Sequence, residues 1–370
     1  FFYPCAFKRF MPKASDSDSD LLRNSKFRAF ADALTAALQQ FEKAKKWPDL
    51  VECMKRVQKV MTKYSGFPAI PIKLAFCKRV AQCLNPNLPS GVHIKTLETL
   101  SGVLERIGPG RLSESISIYS MGLFPLFQFA AMTVKPAILQ IFETFYLPLG
   151  KDLIPCMTGL LISLLPGLEE EGNEIYDRVL SLINKLEKID RPMFYHSMWK
   201  AAVSSPNVRG AAMIYLDRKF PKGGKIDEDY LPERQTLVKS AIMECLADPE
   251  LLTQRAAMEL LLNHFPISSG IFDQWDDIAV LVVKLVLRKE IALNRRLYNW
   301  FLGNEPNEFE EHGKKVIIAA VQQIFSSPPD TVENATHPFK IMKSLLEKQE
   351  IGEAIIENVL ISVFYSLHRF

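Results

Sequence analysis

Lys55, Lys59 and Lys63 stand four residues apart, a spacing that aligns three ammonium groups along one face of a helix. Like charges at that spacing cost an isolated helix about 0.2–0.5 kcal/mol per pair, so the row has to find counter-charge or solvent. Arg56 adds to it, Lys43, Lys45 and Lys46 lie just upstream, and Lys78, Arg79 and Lys95 extend the patch if neighbouring helices stack. The chemistry open to such a set is electrostatic capture of an anionic surface. Near a charged cytosolic leaflet each basic residue is worth about 1 kcal/mol. The plainer reading is a solvated helix face, since a helix must put its charge somewhere. Nucleic acid is not expected, because no known module and no alternation of aromatic with basic residues accompanies the lysines.

Other reactive side chains make weaker patterns. Cys77, Cys83 and His93 are not spaced as paired metal ligands, and one helix face accounts for both cysteines as small buried hydrophobes. The six cysteines lack framework spacing and suit a reducing compartment, where the sequon Asn334-Ala335-Thr336 carries no weight. His93, His196, His264, His312, His337 and His368 are dispersed, none beside a nucleophile. Glu169-Glu170-Glu171 precedes a helix, where carboxylates favour the positive end. Lys222-Gly223-Gly224-Lys225 reads as a loop, not a phosphate cradle. No Walker, dinucleotide, HExxH or nucleophile-elbow motif is present. The expectation is therefore a protein that is not an enzyme and needs no cofactor or metal. The competing enzyme reading requires groups gathered from distant helices around a deep pocket.

The elements that must position these residues are helices. Phe27, Phe30, Leu34, Leu38 and Phe41 follow spacings of 3, 4, 4 and 3, and Trp47, Leu50, Met54, Val57 and Met61 repeat the rhythm. Further helices are predicted over 72–84, 92–107, 112–131, 136–147 and 152–165, with more of the same length to residue 368. No stretch alternates with period two, so strands are not expected. Helix pairs begin about every 40 residues, the size of a HEAT or armadillo unit, which predicts an all-α fold: an α-solenoid of antiparallel helix pairs. A globular two-lobed helical bundle is the alternative, with a joint near residues 221–232. Residues 1–24 read as a disordered N-terminal extension, opening on Phe rather than Met and carrying the acidic tract Ser-Asp-Ser-Asp-Ser-Asp at 15–20. Helical patterning continues to the last residues, so the end at Phe370 is expected to be artificial. The uncharged runs 115–134 and 153–168 approach the roughly 20 apolar residues of a membrane span. Their Gly122, Pro125, Pro155 and Pro166 fit buried core helices better. The net charge of +3 hides an asymmetry: residues 41–111 hold 13 Lys and Arg against 5 Asp and Glu, and the rear of the chain is acidic.

Longer wording adds a resemblance. The segments SKFRAFADALTAALQQFEKAKKWPDLVECMKRVQKVM, KRVAQCLNPNLPSGVHIKTLETL, ERIGPGRL, IYSMGLFPLFQFAAMTVKP and YLPLGKDLIPCMTGLLISLLPGLEEEGNEIYDR resemble the N-terminal domain of the Dopey family, most distinctively from Ser25 to Lys188. Family members are far longer, so the resemblance implies an N-terminal helical repeat domain over residues 25–370. It also implies a non-enzymatic scaffold of transport between endosomes and Golgi, cytosolic and peripheral on those membranes. The partners it implies are a large Sec7-related Golgi scaffold of the Mon type and, for some members, phosphoinositide membrane, kinesin light chain and a flippase. A purely protein-binding adaptor, for instance for a motor light chain, is the alternative. The resemblance assigns none of these contacts to a residue; the basic set is chosen on charge.

Overall fold

The structure is a computed structural model that describes residues 21, 23–221, 226, 228–232, 235–305, 307–327 and 334–367. The expected N-terminal extension up to residue 20 and the Lys222–Lys225 turn lie outside these residues. All elements among them are helical, with no strand. The chain divides into two compact units, Phe1–Asp190 and Arg191–Phe370. The segment 221–232 lies within the second.

In the first unit, α1 (Ser25–Gln39) starts at Asn24, whose Oδ1 accepts from the backbone N–H of Lys26 and Phe27 at 2.9 and 3.4 Å. A 3-10 turn (Gln40–Glu42) extends it, and Phe27, Phe30, Leu34, Leu38 and Phe41 are all buried. Against that stripe packs α2 (Trp47–Lys63), which buries Leu50, Cys53, Met54, Val57 and Met61. Next come α3 (Lys73–Cys83) and α4 (Ser90–Glu114). Helix α4 breaks at Gly108, where φ 70 and ψ 174 precede Pro109, so its regular part ends at Ile107 as the pattern predicted.

The predicted helix over 112–131 is not one helix. It divides into α5 (Ile116–Tyr119) and α6 (Leu123–Phe129). The cause is a close approach at Gly122, where a Cβ would stand 2.5 Å from Ala81 Cα on α3. The chain gives up helical geometry there to pack backbone on backbone. The helical run from Lys135 to Leu168 is long and apolar enough to cross a membrane by composition. It nevertheless comprises α7 (Lys135–Ile141), a π turn (Phe142–Tyr146), 3-10 turns bent at Gly150 (φ 57), and α8 (Met157–Leu164). Phe142, Tyr146, Leu153, Met157, Leu161 and Leu164 are fully buried in it, against α4, α6 and α9 (Glu174–Glu187). It forms the core of the unit.

The second unit is layered. Helices α10 (Arg191–Ser204), α12 (Gln235–Leu246), α14 (Asp276–Lys284), α16 (Lys314–Ser326) and α18 (Gln349–Leu367) pack each on the next. Helices α11 (Arg209–Lys219), α13 (Leu251–His264), α15 (Ile291–Leu302) and α17 (His337–Leu346) alternate with them along the chain. Packing joins α11 to α13 and α13 to α15, and the Tyr298 hydroxyl donates to the Ser344 carbonyl between α15 and α17 at 3.1 Å. Ring contacts run from Tyr195 through Phe220, Phe265, Phe272 and Trp275 to Trp300 and Phe301. The indoles of Trp199 and Trp300 donate to the carbonyls of Tyr230 and Phe265.

The repeat that the sequence suggested reappears in polar contacts. Arg79 to Glu42 spans 37 residues, Arg209 to Asp248 39, Lys239 to Asp277 38, Gln322 to Asn358 36, and Asn263 to Asp217 46. One helix pair with its links supplies that separation, which is the mark of an α-solenoid of helix pairs.

Candidate functional site

The basic set centres on α2 and the loop before it. Lys46 is extended at the N-cap, φ −125 and ψ 158, and the backbone N–H groups of Lys45 and Lys46 donate to Asp49 Oδ2 at 3.1 and 3.0 Å. Those two bonds hold the Asp49 carboxyl below its ordinary value. Pro48 follows Trp47 in the first turn, where its missing N–H leaves no gap. From there, about 100° per residue puts Leu50, Met54, Val57 and Met61 inward and Lys55, Lys59 and Lys63 on the opposite side. These three lysines, with Gln58 and Thr62, line an open depression of about 520 Å³. Lys55 lies 3.6 Å from Glu52, and the Lys63 ammonium stands over the Tyr64 ring at 5.5 Å. Lys59 has no carboxylate partner among the described residues.

The remaining members do not join that depression. Lys43, Lys45 and Lys46 are exposed in the loop at the start of α2, and Lys63 is at its far end, about 24 Å away by helical rise. Arg79 bonds Glu42 at 2.9 Å and lies 5.9 Å from the Phe41 ring, which ties α3 to the turn beside Lys43. Lys95 is half-buried on α4 and bonds Glu98 at 2.9 Å, so its charge is largely met locally. Arg56 and Lys78 are exposed, and no described contact links them to the row. The single patch expected from charge is thus a row on α2 and a cluster at its N-terminal tip.

Trp47 is the residue that pattern reading misassigned. Its spacing placed it on the buried stripe, yet it is 52% exposed, because the first residue of a helix has no preceding turn to pack beneath. The warning in the sequence was Pro48, which marks the first turn. A second omission is Arg209 in the other unit. Its guanidinium donates to the Ala202 carbonyl, to Asp248 at 2.9 Å and to Glu244. Arg288, two helix pairs from Arg209, donates to the carbonyls of Asp248 and Pro249 and to Gln254.

The other reactive groups are structural in setting. Burial pushes the thiols of Cys77, Cys83, Cys156 and Cys245 up to about 12, far from thiolate at neutral pH. The His93 ring nitrogen Nε2 pairs with the Asn85 carbonyl at 2.9 Å, and that of His264 with the Asp217 carbonyl at 3.0 Å. Glu169, Glu170 and Glu171 are exposed ahead of α9, where Asn173 rather than a glutamate provides the cap. Among the described residues no three His, Cys, Asp or Glu stand together as metal ligands.

Residues 24–306 match the family model described as Dopey, N-terminal, and residues 309–370 match that of the DOP1 middle TPR domain. Over 381 residues the chain is 33% identical to the Drosophila pseudoobscura protein named DOP1 homolog, covering 95% of this chain and 14% of that protein. Mouse DOP1B is 32% identical over 392 residues, with coverages of 95% and 17%. Caenorhabditis elegans pad-1 is 36% identical over 289 residues, with coverages of 76% and 12%. The chain therefore spans less than a fifth of the length of these relatives. None of the names is an enzyme's.

Proposed function

This chain belongs to the Dopey family, and we propose that its stretch of the protein is a non-enzymatic scaffold of membrane traffic. In this reading it is cytosolic and peripheral on Golgi and endosome membranes. The helical repeats are a frame, and the outward side of α2 is the docking surface, its ligand an anionic, phosphoinositide-bearing leaflet. The observation that carries the reading is the Lys55, Lys59 and Lys63 row around an open depression, with one partly exposed carboxylate, Glu52, beside it. A row of three cations with a single carboxylate beside it favours a multivalent anion, and each lysine brought to such a surface is worth about 1 kcal/mol. Protein partners remain part of the proposal: a large Sec7-related scaffold of the Mon type, with kinesin light chain and a flippase as further candidates for the long protein.

Flotation with vesicles containing a phosphatidylinositol phosphate tests the membrane reading. Binding is expected at low salt, weaker at high salt, and reduced by Lys55→Glu with Lys59→Glu. Flotation unchanged by that pair removes the surface from consideration. Loss of Sec7-related partner capture by the same variant, with vesicles ignored throughout, transfers the basic row to the protein-binding adaptor.

A further inference from the structure

We propose that Trp47 is the membrane-inserting anchor of the basic surface: its indole enters the headgroup layer of an anionic leaflet while Lys43, Lys45 and Lys46 engage the phosphates around it. This rests on the membrane reading above and adds a residue, a depth and a geometry to it.

Four tryptophans occur in the chain, and three are spent in the core of the second unit. Trp199, Trp275 and Trp300 are 0, 6 and 3% exposed, and Trp47 is 52% exposed. Trp47 also makes no ring contact and no indole hydrogen bond among the described residues. A large amphipathic ring left in water is costly to keep solvated, and the membrane–water interface is where tryptophan partitions best.

The surroundings favour that fate. The sequence around the indole reads Lys-Ala-Lys-Lys-Trp-Pro, and Lys43, Lys45 and Lys46 are exposed; among the described residues no carboxylate reaches their ammonium groups at ion-pair distance, and Asp49 acts on Lys46 only through space. The carboxylates nearby are engaged: Glu42 with Arg79, Glu52 with Lys55, and Asp49 with two backbone N–H groups. The Asp49 bonds and Pro48 fix the backbone that presents the indole, so little ordering is left to occur on binding. Trp47 lies about 80° around the helix from Lys55, about 120° from Lys59 and about 160° from Lys63, so the leaflet that takes the indole meets the tip of α2 with Lys43, Lys45 and Lys46, and Lys55 is the nearest member of the row.

The arrangement allows a direct spectroscopic test, because the other tryptophans are shielded. The whole chain is mixed with phosphatidylcholine vesicles containing phosphatidylserine and a phosphatidylinositol phosphate, with and without brominated acyl chains, and flotation is run in parallel. The Trp47→Phe protein supplies the signal of the buried indoles. We expect the Trp47 emission to shift to the blue and to be quenched by the brominated chains. Trp47→Ala should weaken vesicle partitioning about ten-fold or more, from the apolar area lost, and Trp47→Phe should weaken it less. Flotation with an unquenched Trp47, or a Trp47→Ala protein that partitions like the wild type, overturns insertion and leaves the lysine row as the membrane contact. A wild-type chain that does not float at low salt overturns the membrane reading and insertion with it.

Discussion

Two clusters of cations, the lysine row on α2 and the pair Arg209 and Arg288, carry the same sign of charge in opposite surroundings. Arg209 is 8% exposed, and its donors are consumed by Ala202, Asp248 and Glu244. Together with Arg288 it clamps the link between α12 and α13 from the helix pairs on either side. Lys55, Lys59 and Lys63 are exposed around an open depression and hold one solvent-exposed ion pair among them. An exposed pair of that kind contributes about 0–1 kcal/mol, and the Lys63 contact with the Tyr64 ring is likewise at the surface, so the fold gains little from the lysines. The difference teaches that charge alone does not mark a functional surface. What separates the clamp from the row is how many internal partners each cation finds.

The largest expected effect breaks the buried side of the comparison. Arg209→Met removes the cation paired with the carboxylate of Asp248, 3% exposed, and should destabilise the second unit by about 3–5 kcal/mol. Denaturant unfolding followed by tryptophan fluorescence in a Trp47→Phe background reads that unit specifically, since Trp199, Trp275 and Trp300 all lie in it. A midpoint that does not move would make the arginine clamp incidental. Next in size is the exposed side. Lys55→Glu with Lys59→Glu should weaken binding to anionic vesicles by about 2 kcal/mol or more, at least roughly 30-fold, since each substitution removes an attraction and adds a repulsion. The same variant should leave unfolding within about 0.5 kcal/mol of the wild type, as surface changes do. Equal losses of stability and binding would erase the distinction between the two clusters.

Much of this was legible from residue order. The stripe from Phe27 to Phe41, the all-helical class and the spacing of about 40 residues follow from apolar periodicity, which burial enforces. The break of 112–131 was not legible, because its cause is Ala81, a residue 41 positions away that presses on Gly122. Periodicity is local and close approach of backbones is not. The same limit applied at the surface. Pattern gave the α2 row correctly, since one helix determines it. It could not separate the row from Lys95 or Arg79, whose charges are met by Glu98 on the same helix and by Glu42 from another. Nor could it see that Arg209 would find Asp248 across a helix pair.

The smallest effect concerns Asp49, which sharpens the comparison because it joins the two kinds of charge: a surface carboxylate whose task is internal. Its oxygen takes the N–H groups of Lys45 and Lys46, and these lower its pKa from 3.8. A carboxyl with a lowered folded value stabilises the folded state above its unfolded value and loses that contribution as pH falls through the folded one. Asp49→Asn should therefore melt slightly below the wild type at neutral pH, with the gap closing under acid, below 3.8. The thermal midpoint of the two proteins across pH 2–7 measures it. The consequence for the surface is separate. Loosening the Lys45–Lys46 backbone should lower vesicle affinity at neutral pH although the substitution removes a negative charge, which electrostatics alone would reward. If Asp49→Asn instead binds anionic vesicles more tightly, the loop's fixed shape contributes nothing and net charge governs the surface.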